Sequence, residues 1–433
     1  MKLYSTNNSY HITDLRTAVM HSLAPDNGLY MPTEIPLLPK GFVGGIQQRS
    51  MQDIGYEICK NLFKSALSNA SIANIIEECM DIQTPVHRLK ENIYSLELWH
   101  GPTAAFKDFG ARFLAAIMAY FNSNETKPLT ILVATSGDTG GAVASAFLNV
   151  PGIEIIILYP KEKVSLLQEK QLTTLGNNIH ALEIEGTFDD CQDLVKQAFQ
   201  DKELNVKYRF SSANSINIAR LIPQTFYYFD AYRQVVDQNK KIAFSVPCGN
   251  LGNLTAGLIA MRMGLPVSKF IAATNINNAL PQYLETAIFT THKSIATISN
   301  AMDVGKPSNF PRLLALYKND FKELSHDIHG NYSTDTQTLD EIRYVFQESG
   351  YITDPHGAIA HRALRNYLEG DISTLGIFLE TAHPAKFSEI VNEAIGQEVE
   401  IPDNLKNLES KQKNAILMSA HYPEFKEYLM SRD

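Results

Sequence analysis

The chain has 433 residues, 44% hydrophobic and 20% charged, with a formal net charge of -9. That length is too great for one small core and predicts two or three domains of ordinary globular composition. The acidic balance argues against a nucleic-acid surface as its main business, and the four scattered cysteines, Cys59, Cys79, Cys191 and Cys248, form no CxxC, so neither a disulfide framework nor a zinc site is expected.

In chain order, residues 1–85 read as a largely helical lead-in. A helix is predicted over 15–23, a turn at Pro25-Asp26-Asn27-Gly28, a proline-punctuated loop over 32–45, and helices over 51–67 and 72–80. The N-terminus turns polar at once, without a signal-peptide core. No apolar run approaches the ~18 residues that span a bilayer. A cytoplasmic protein without a membrane partner is therefore expected.

From residue 93 the texture changes. Short β-rich runs at 93–99, 129–135, 153–159, 179–185, 242–246, 270–274 and 375–379 alternate with helical runs. Such alternation predicts an α/β architecture with mostly parallel strands. The last thirty residues are polar and mixed and predict a surface helix or two.

The first β-rich run leads into His100-Gly101-Pro102-Thr103-Ala104-Ala105-Phe106-Lys107-Asp108-Phe109-Gly110. A helix starting near Pro102 places Lys107 in its second turn, on a face shared with Thr103, Ala104, Ala111, Leu114 and Met118. Asp108 is expected to pair with Arg112 four residues on. A lysine on an apolar face is costly as a cation, and a lysine of lowered pKa is the kind that forms Schiff bases. The same residue also reads as a lysine that snorkels to water along its stem.

Two later junctions place glycines between a strand and a helix: Thr135-Ser136-Gly137-Asp138-Thr139-Gly140-Gly141 and Pro247-Cys248-Gly249-Asn250-Leu251-Gly252-Asn253. Each brings backbone N–H groups together at a helix N-terminus, where the dipole favours an anion. Each reads equally as a tight turn. Neither matches GxxxxGK[ST] or GxGxxG, so a small phosphorylated cofactor or substrate is favoured over ATP or NAD. Thr381 follows the strand run at 375–379, where open α/β sheets place ligand contacts. It also reads as a helix N-cap. Residues 211–220 gather hydroxyl and amide groups with Arg220, an oxyanion clamp or a loop with an exposed arginine. No histidine spacing matches a metal site, and none is expected.

Together these segments resemble the threonine synthases, pyridoxal-phosphate enzymes of the tryptophan-synthase-β fold type. The resemblance runs through Asp26-Asn27-Gly28-Leu29-Tyr30, HGPTxAFKDFG at 100–110 and SGDTGGA from Ser136. It continues with NSINIAR from Asn214, GNxGN from Gly249 and ATNINN from Ala273. It ends with SNAMDVGKPSNFPR from Ser299, DPHGA from Asp354 and TAHPAKF from Thr381. GNxGN alone is unspecific, but the ordered set is not.

The resemblance implies fold type II: two open, twisted, mostly parallel sheets flanked by helices, after an N-terminal helical lead-in. It implies a threonine-synthase-type region over 1–85 and a two-lobed catalytic core over 86–433, with the smaller lobe at about 110–220. Lys107 is then the lysine that binds pyridoxal 5'-phosphate. Gly249, Asn250, Leu251, Gly252 and Asn253 cradle its phosphate, Thr381 meets the pyridine nitrogen, and Asp138 lies near the ring hydroxyl. Ser136 and Thr139 contact the substrate carboxylate and phosphate, and Ser215 and Arg220 clamp the substrate phosphate. Cys248 and Leu251 depart from the serine and phenylalanine common in relatives. The implied reaction converts O-phospho-L-homoserine and water to L-threonine and phosphate, a carbon–oxygen lyase step that ends threonine biosynthesis. A monomer is expected, with a dimer as the alternative. The competing readings are a serine or threonine dehydratase, which needs no substrate-phosphate clamp, and a non-catalytic phospho-ligand binder, which needs no lysine.

Overall fold

Strand runs that are apolar on both faces must be covered on both faces, and helices provide that cover for two mostly parallel sheets in the computed structural model, which describes residues 1–135, 137–236, 240–408 and 410–432. The larger sheet has six strands in the order Ile328–Tyr332, Lys269–Thr274, Lys241–Pro247, Thr374–Glu380, Ile93–Glu97 and Val86–Arg88. Its strands run parallel except Val86–Arg88, which is antiparallel at one edge. At its centre Phe244 lies in register with Phe270 on one side and Ile377 on the other.

The smaller sheet is parallel throughout, in the order Ile416–Ser419, Ile179–Glu185, Ile153–Pro160, Leu129–Ala134 and Arg209–Ser212. The strand Ile416–Ser419 corrects the expectation of surface helices alone at the C-terminus. Four residues amid polar sequence carry little pattern, yet Met418 is buried, and the following helix Tyr422–Ser431 buries Phe425 and Leu429.

The lead-in is not helical alone. It opens on a three-stranded antiparallel sheet, Ile12–Asp14, Lys2–Ser5 and Tyr30–Pro32, beside the helices Leu15–His21, Met51–Phe63 and Asn69–Cys79. Strands of three or four residues are too short to show alternation in sequence. Its buried side chains join the main core: the Phe113 ring packs against Phe63 and Phe226, with centroids 6.3 and 6.2 Å apart. Each such ring stabilises the fold by roughly 1.5–3 kcal/mol through apolar burial. Among the described residues, no helix is long and apolar enough to cross a membrane.

Candidate active site

Lys107 is the first residue of the helix Lys107–Asn122, five residues later than the proline-based expectation. The delay has a local cause. Asp108 turns back and accepts hydrogen bonds from the Thr103 N–H (2.9 Å) and hydroxyl (2.6 Å), and Ala104 takes a left-handed conformation with φ 53°. Residues 101–106 are thus a knot in front of the helix, so Thr103 and Ala104 share no helical face with Lys107. The expected Asp108–Arg112 pair does not form: Arg112 binds Asp81 and the carbonyl of Glu78 instead.

Lys107 Nζ is held 3.7 Å from Asp138 Oδ2, and its side chain is 15% exposed. Burial lowers the Lys107 pKa; Asp138 opposes that shift, while Lys386 and Arg220 reinforce it. Asp138 opens the helix Asp138–Phe147. Its other oxygen takes Lys386 Nζ at 2.7 Å and the Gln168 amide at 3.0 Å. Burial alone would raise the Asp138 pKa, but Lys386 and Lys107 outweigh it and hold the carboxyl well below the usual range.

The strand Lys241–Pro247 ends at the glycine loop, and the helix Gly252–Arg262 begins within it. Leu251 is left-handed at φ 62°. Among the described residues, the N–H groups of Gly249 to Asn253 have no protein acceptor. Unpartnered N–H groups at a helix N-terminus are of the kind that can take an anion. Gly249 must lack a side chain, since a Cβ there would lie 2.8 Å from the Ala301 carbonyl. Asn250 is braced by Ser308 and Asn309, and the Asn309 amide reaches Ser215 Oγ at 3.4 Å. The side chains of Cys248 and Leu251 are buried in the core, so these two departures leave the cradle's backbone untouched.

Arg220 lies under the Lys107 helix, where Gly110 leaves room: a Cβ at Gly110 would sit 2.7 Å from Arg220 Nε. The guanidinium donates to the Ala213 carbonyl at 2.6 Å, but its buried Nε has no partner among the described residues. Burial pushes the Arg220 pKa down to about 10. Such a cation is short of negative charge and suits an anionic ligand.

Thr381 follows the central strand Thr374–Glu380. Its carbonyl accepts the Phe106 N–H at 2.9 Å, pinning it to the Lys107 loop. It caps no helix. The short turn Pro384–Phe387 is capped by the His383 ring instead.

One cavity of about 750 Å³ is lined by Lys107, Thr139, Ser215, Arg220, Gly249, Asn250, Gly252, Asn253 and Thr381. Asp138 stands behind Lys107, Leu251 turns away, and Ser136 lies outside the described residues. The sequence did not single out two further residues, Lys386, which lies behind the cavity on Asp138, and His356, which lines it. Lys386 sits five positions past Thr381, and nothing in sequence marks it as a buried lysine. His356 accepts the Ala301 N–H at 3.3 Å and pairs with Asp354 through its other nitrogen.

A largely buried lysine beside unpartnered backbone amides and an under-paired guanidinium is an arrangement that suits a phosphorylated cofactor and an anionic substrate. The family described as pyridoxal-phosphate dependent enzyme matches residues 78–377, with threonine synthase N terminus over 2–80 and threonine synthase, C-terminal over 357–429. A threonine synthase of Haemophilus influenzae is 42% identical over 406 residues, covering 94% of each chain. The chain belongs to the threonine synthase family. The crystal structure of threonine synthase from Escherichia coli superposes with TM-score 0.94 at 38% identity, covering 100% of both chains. That of the pyridoxal-phosphate-bound threonine synthase from Brucella melitensis gives 0.92 at 33%, covering 99% of this chain and 98% of that one. As a threonine synthase the chain is a pyridoxal-phosphate-dependent lyase. Its residues fit that cofactor: the Gly249–Asn253 amides are open to a phosphate, and Lys107 is largely buried, with a pKa lowered by desolvation.

Proposed function

We propose that the cavity converts O-phospho-L-homoserine and water to L-threonine and phosphate, in the cytoplasm and as a monomer. The observation that carries this reading is the pairing of one buried lysine with two separate anion loci, the Gly249–Asn253 amides and Arg220. A dehydratase acting on an unphosphorylated amino acid has no use for the second.

In this reading Lys107 holds the cofactor, the amides of Gly249, Asn250, Leu251, Gly252 and Asn253 bind its phosphate, and the Thr381 hydroxyl meets its ring nitrogen. Asp138 lies near the ring hydroxyl. When bound, pyridoxal phosphate supplies the electron sink for proton loss at the substrate carbons. Lys107, low in pKa, would act as general base toward the α-proton and, once it has handed that proton on, toward a β-proton. Arg220 and Ser215 hold the phosphate that departs from the γ-carbon, and Thr139 and Ser136 orient the carboxylate and phosphate ends. Water adds its hydroxyl at the β-carbon and its remaining proton goes to the departing phosphate. The protons taken from the α- and β-carbons return to the α- and γ-carbons, the latter becoming the methyl group. The pair between Lys386 and Asp138 occupies the carboxylate that would otherwise keep Lys107 charged. Residues 1–85 complete the core beside the two lobes of 86–433.

The test is a substrate comparison. Purified protein loaded with cofactor should turn over O-phospho-L-homoserine far faster than L-serine or L-threonine. Faster formation of a 2-oxo acid from L-serine or L-threonine would favour a dehydratase.

A further inference from the structure

Arg312 closes SNAMDVGKPSNFPR and lies in the helix Phe310–Leu316. It is fully buried, and no carboxylate among the described residues forms an ion pair with it. Four of the five N–H donors a guanidinium offers are spent on the surroundings of the cavity. Nε donates to the Tyr30 carbonyl at 3.1 Å. Nη1 donates to the Ser215 carbonyl at 3.1 Å and to Asn309 Oδ1 at 2.7 Å. Nη2 donates to the Ile216 carbonyl at 2.6 Å.

These acceptors come from three separate parts of the chain: the lead-in strand Tyr30–Pro32, the segment carrying Ser215, and the segment carrying Asn309. Asn309 is itself fully buried. With its oxygen committed to Arg312, its amide is oriented to donate to the Asn250 carbonyl at 3.0 Å and toward Ser215 Oγ at 3.4 Å. One guanidinium thus sets the orientation of a residue that contacts both Asn250 in the glycine loop and Ser215 beside it. Burial without a counter-charge pushes the Arg312 pKa down to about 9. A buried cation paired only with carbonyls is costly, and an anion bound nearby would relieve that cost.

We propose that Arg312 is a positioning residue that braces the substrate-phosphate clamp at Ser215 against the cofactor-phosphate cradle at Asn250, joining the two anion sites into one unit and tying the lead-in to it. The fork geometry matters as much as the charge, because lysine offers no planar set of donors for three directions at once.

This inference rests on the proposed function, and its test separates the two. Arg312→Lys keeps a cation and loses the fork. Two constants are measured: the dissociation constant of pyridoxal phosphate from the apo-protein, by absorbance titration, and KM with kcat for O-phospho-L-homoserine at saturating cofactor. The expected result is a rise of about fivefold or more in the first and about tenfold or more in KM, with KM changing more than kcat. A merely structural role lowers the unfolding temperature and the active fraction, which reduces apparent kcat and leaves both KM and the cofactor constant of the folded molecules in place. A folded Arg312→Lys protein with both constants within about twofold of wild type overturns the proposal. If that variant does not fold, Asn309→Ala cuts the bridge and keeps the guanidinium. The same two constants must then rise, and unchanged values overturn the proposal. A wild-type protein inactive on O-phospho-L-homoserine would count against the functional reading alone, and the cofactor constant would still report on the brace.

Discussion

Lys386 Nζ lies 2.7 Å from Asp138 Oδ1, beneath the cavity that holds Lys107, with the Lys386 side chain wholly out of solvent. The same ammonium donates to the Thr103 carbonyl at 3.0 Å, so it is fixed from two directions. Its charge repels that of Lys107, and its partner is the carboxylate Lys107 would otherwise own. Both effects lower the Lys107 pKa.

Replacing Lys386 by methionine should therefore raise the Lys107 pKa, because the repulsion disappears and Asp138 turns to Lys107. The acid limb of the activity profile should move to higher pH. Activity at neutral pH should fall by about tenfold or more, as expected when a charge-assisted contact of about 1.5–3 kcal/mol is lost. The pH dependence of kcat/KM checks this. An acid limb that stays in place, or moves down, contradicts the assigned role.

Arg220→Ala should weaken the phosphorylated substrate far more than the cofactor. Loss of one charge-assisted contact predicts a fall of at least about tenfold in kcat/KM, with cofactor content unchanged. An unaltered kcat/KM for O-phospho-L-homoserine removes Arg220 from the site.

Thr381→Asp tests the ring-nitrogen contact. A neutral hydroxyl gives a protonated pyridine little support, whereas a carboxylate favours it. Cofactor should still bind through the Gly249–Asn253 amides, while threonine formation drops by about tenfold or more. Thr381 caps no helix, so a capping role offers no other explanation of the outcome. Wild-type activity in this variant would sink the contact.

His383 links the site to pH-dependent stability. Burial pushes its pKa down to about 4, a shift Glu97 only partly opposes, while its Nδ1 accepts the Ala385 N–H at 3.2 Å. The folded protein thus disfavours the protonated ring. The stabilisation is complete above the unfolded pKa near 6.5 and is lost as pH falls toward 4. Each pK unit is worth about 1.4 kcal/mol, and partial exposure reduces the whole effect to the order of 1–2 kcal/mol. Asparagine also caps and does not titrate. The stability of wild type relative to His383→Asn, from urea unfolding, should rise between pH 4 and 6.5 and then level off. A flat difference over that range contradicts the assignment.

The central strands of both sheets were legible because they are long, β-branched and buried on both faces. The strands Lys241–Pro247 and Thr374–Glu380 extend the expected runs by one residue at each end. The lead-in strand Lys2–Ser5 and the edge strands Ile328–Tyr332 and Ile416–Ser419 were not legible, because short or half-exposed strands are defined by the neighbour they pair with. Lys107, Arg220 and the glycine loop stood out as residue types at strand-to-helix junctions. The start of the Lys107 helix did not, since it depends on Asp108 reaching back to Thr103. Lys386 and Arg312 were hidden for a related reason. Each draws its role from partners far away in sequence, Asp138 for one and Tyr30, Ser215 and Ile216 for the other.

The measurement that bears most directly on the reaction is turnover of O-phospho-L-homoserine in ¹⁸O-labelled water, with both products analysed by mass spectrometry. Carbon–oxygen cleavage followed by hydration at the β-carbon predicts threonine and phosphate in equal amounts, with the label in the threonine hydroxyl and none in the phosphate. Labelled phosphate accompanied by homoserine would mean phosphorus–oxygen hydrolysis and would contradict the account.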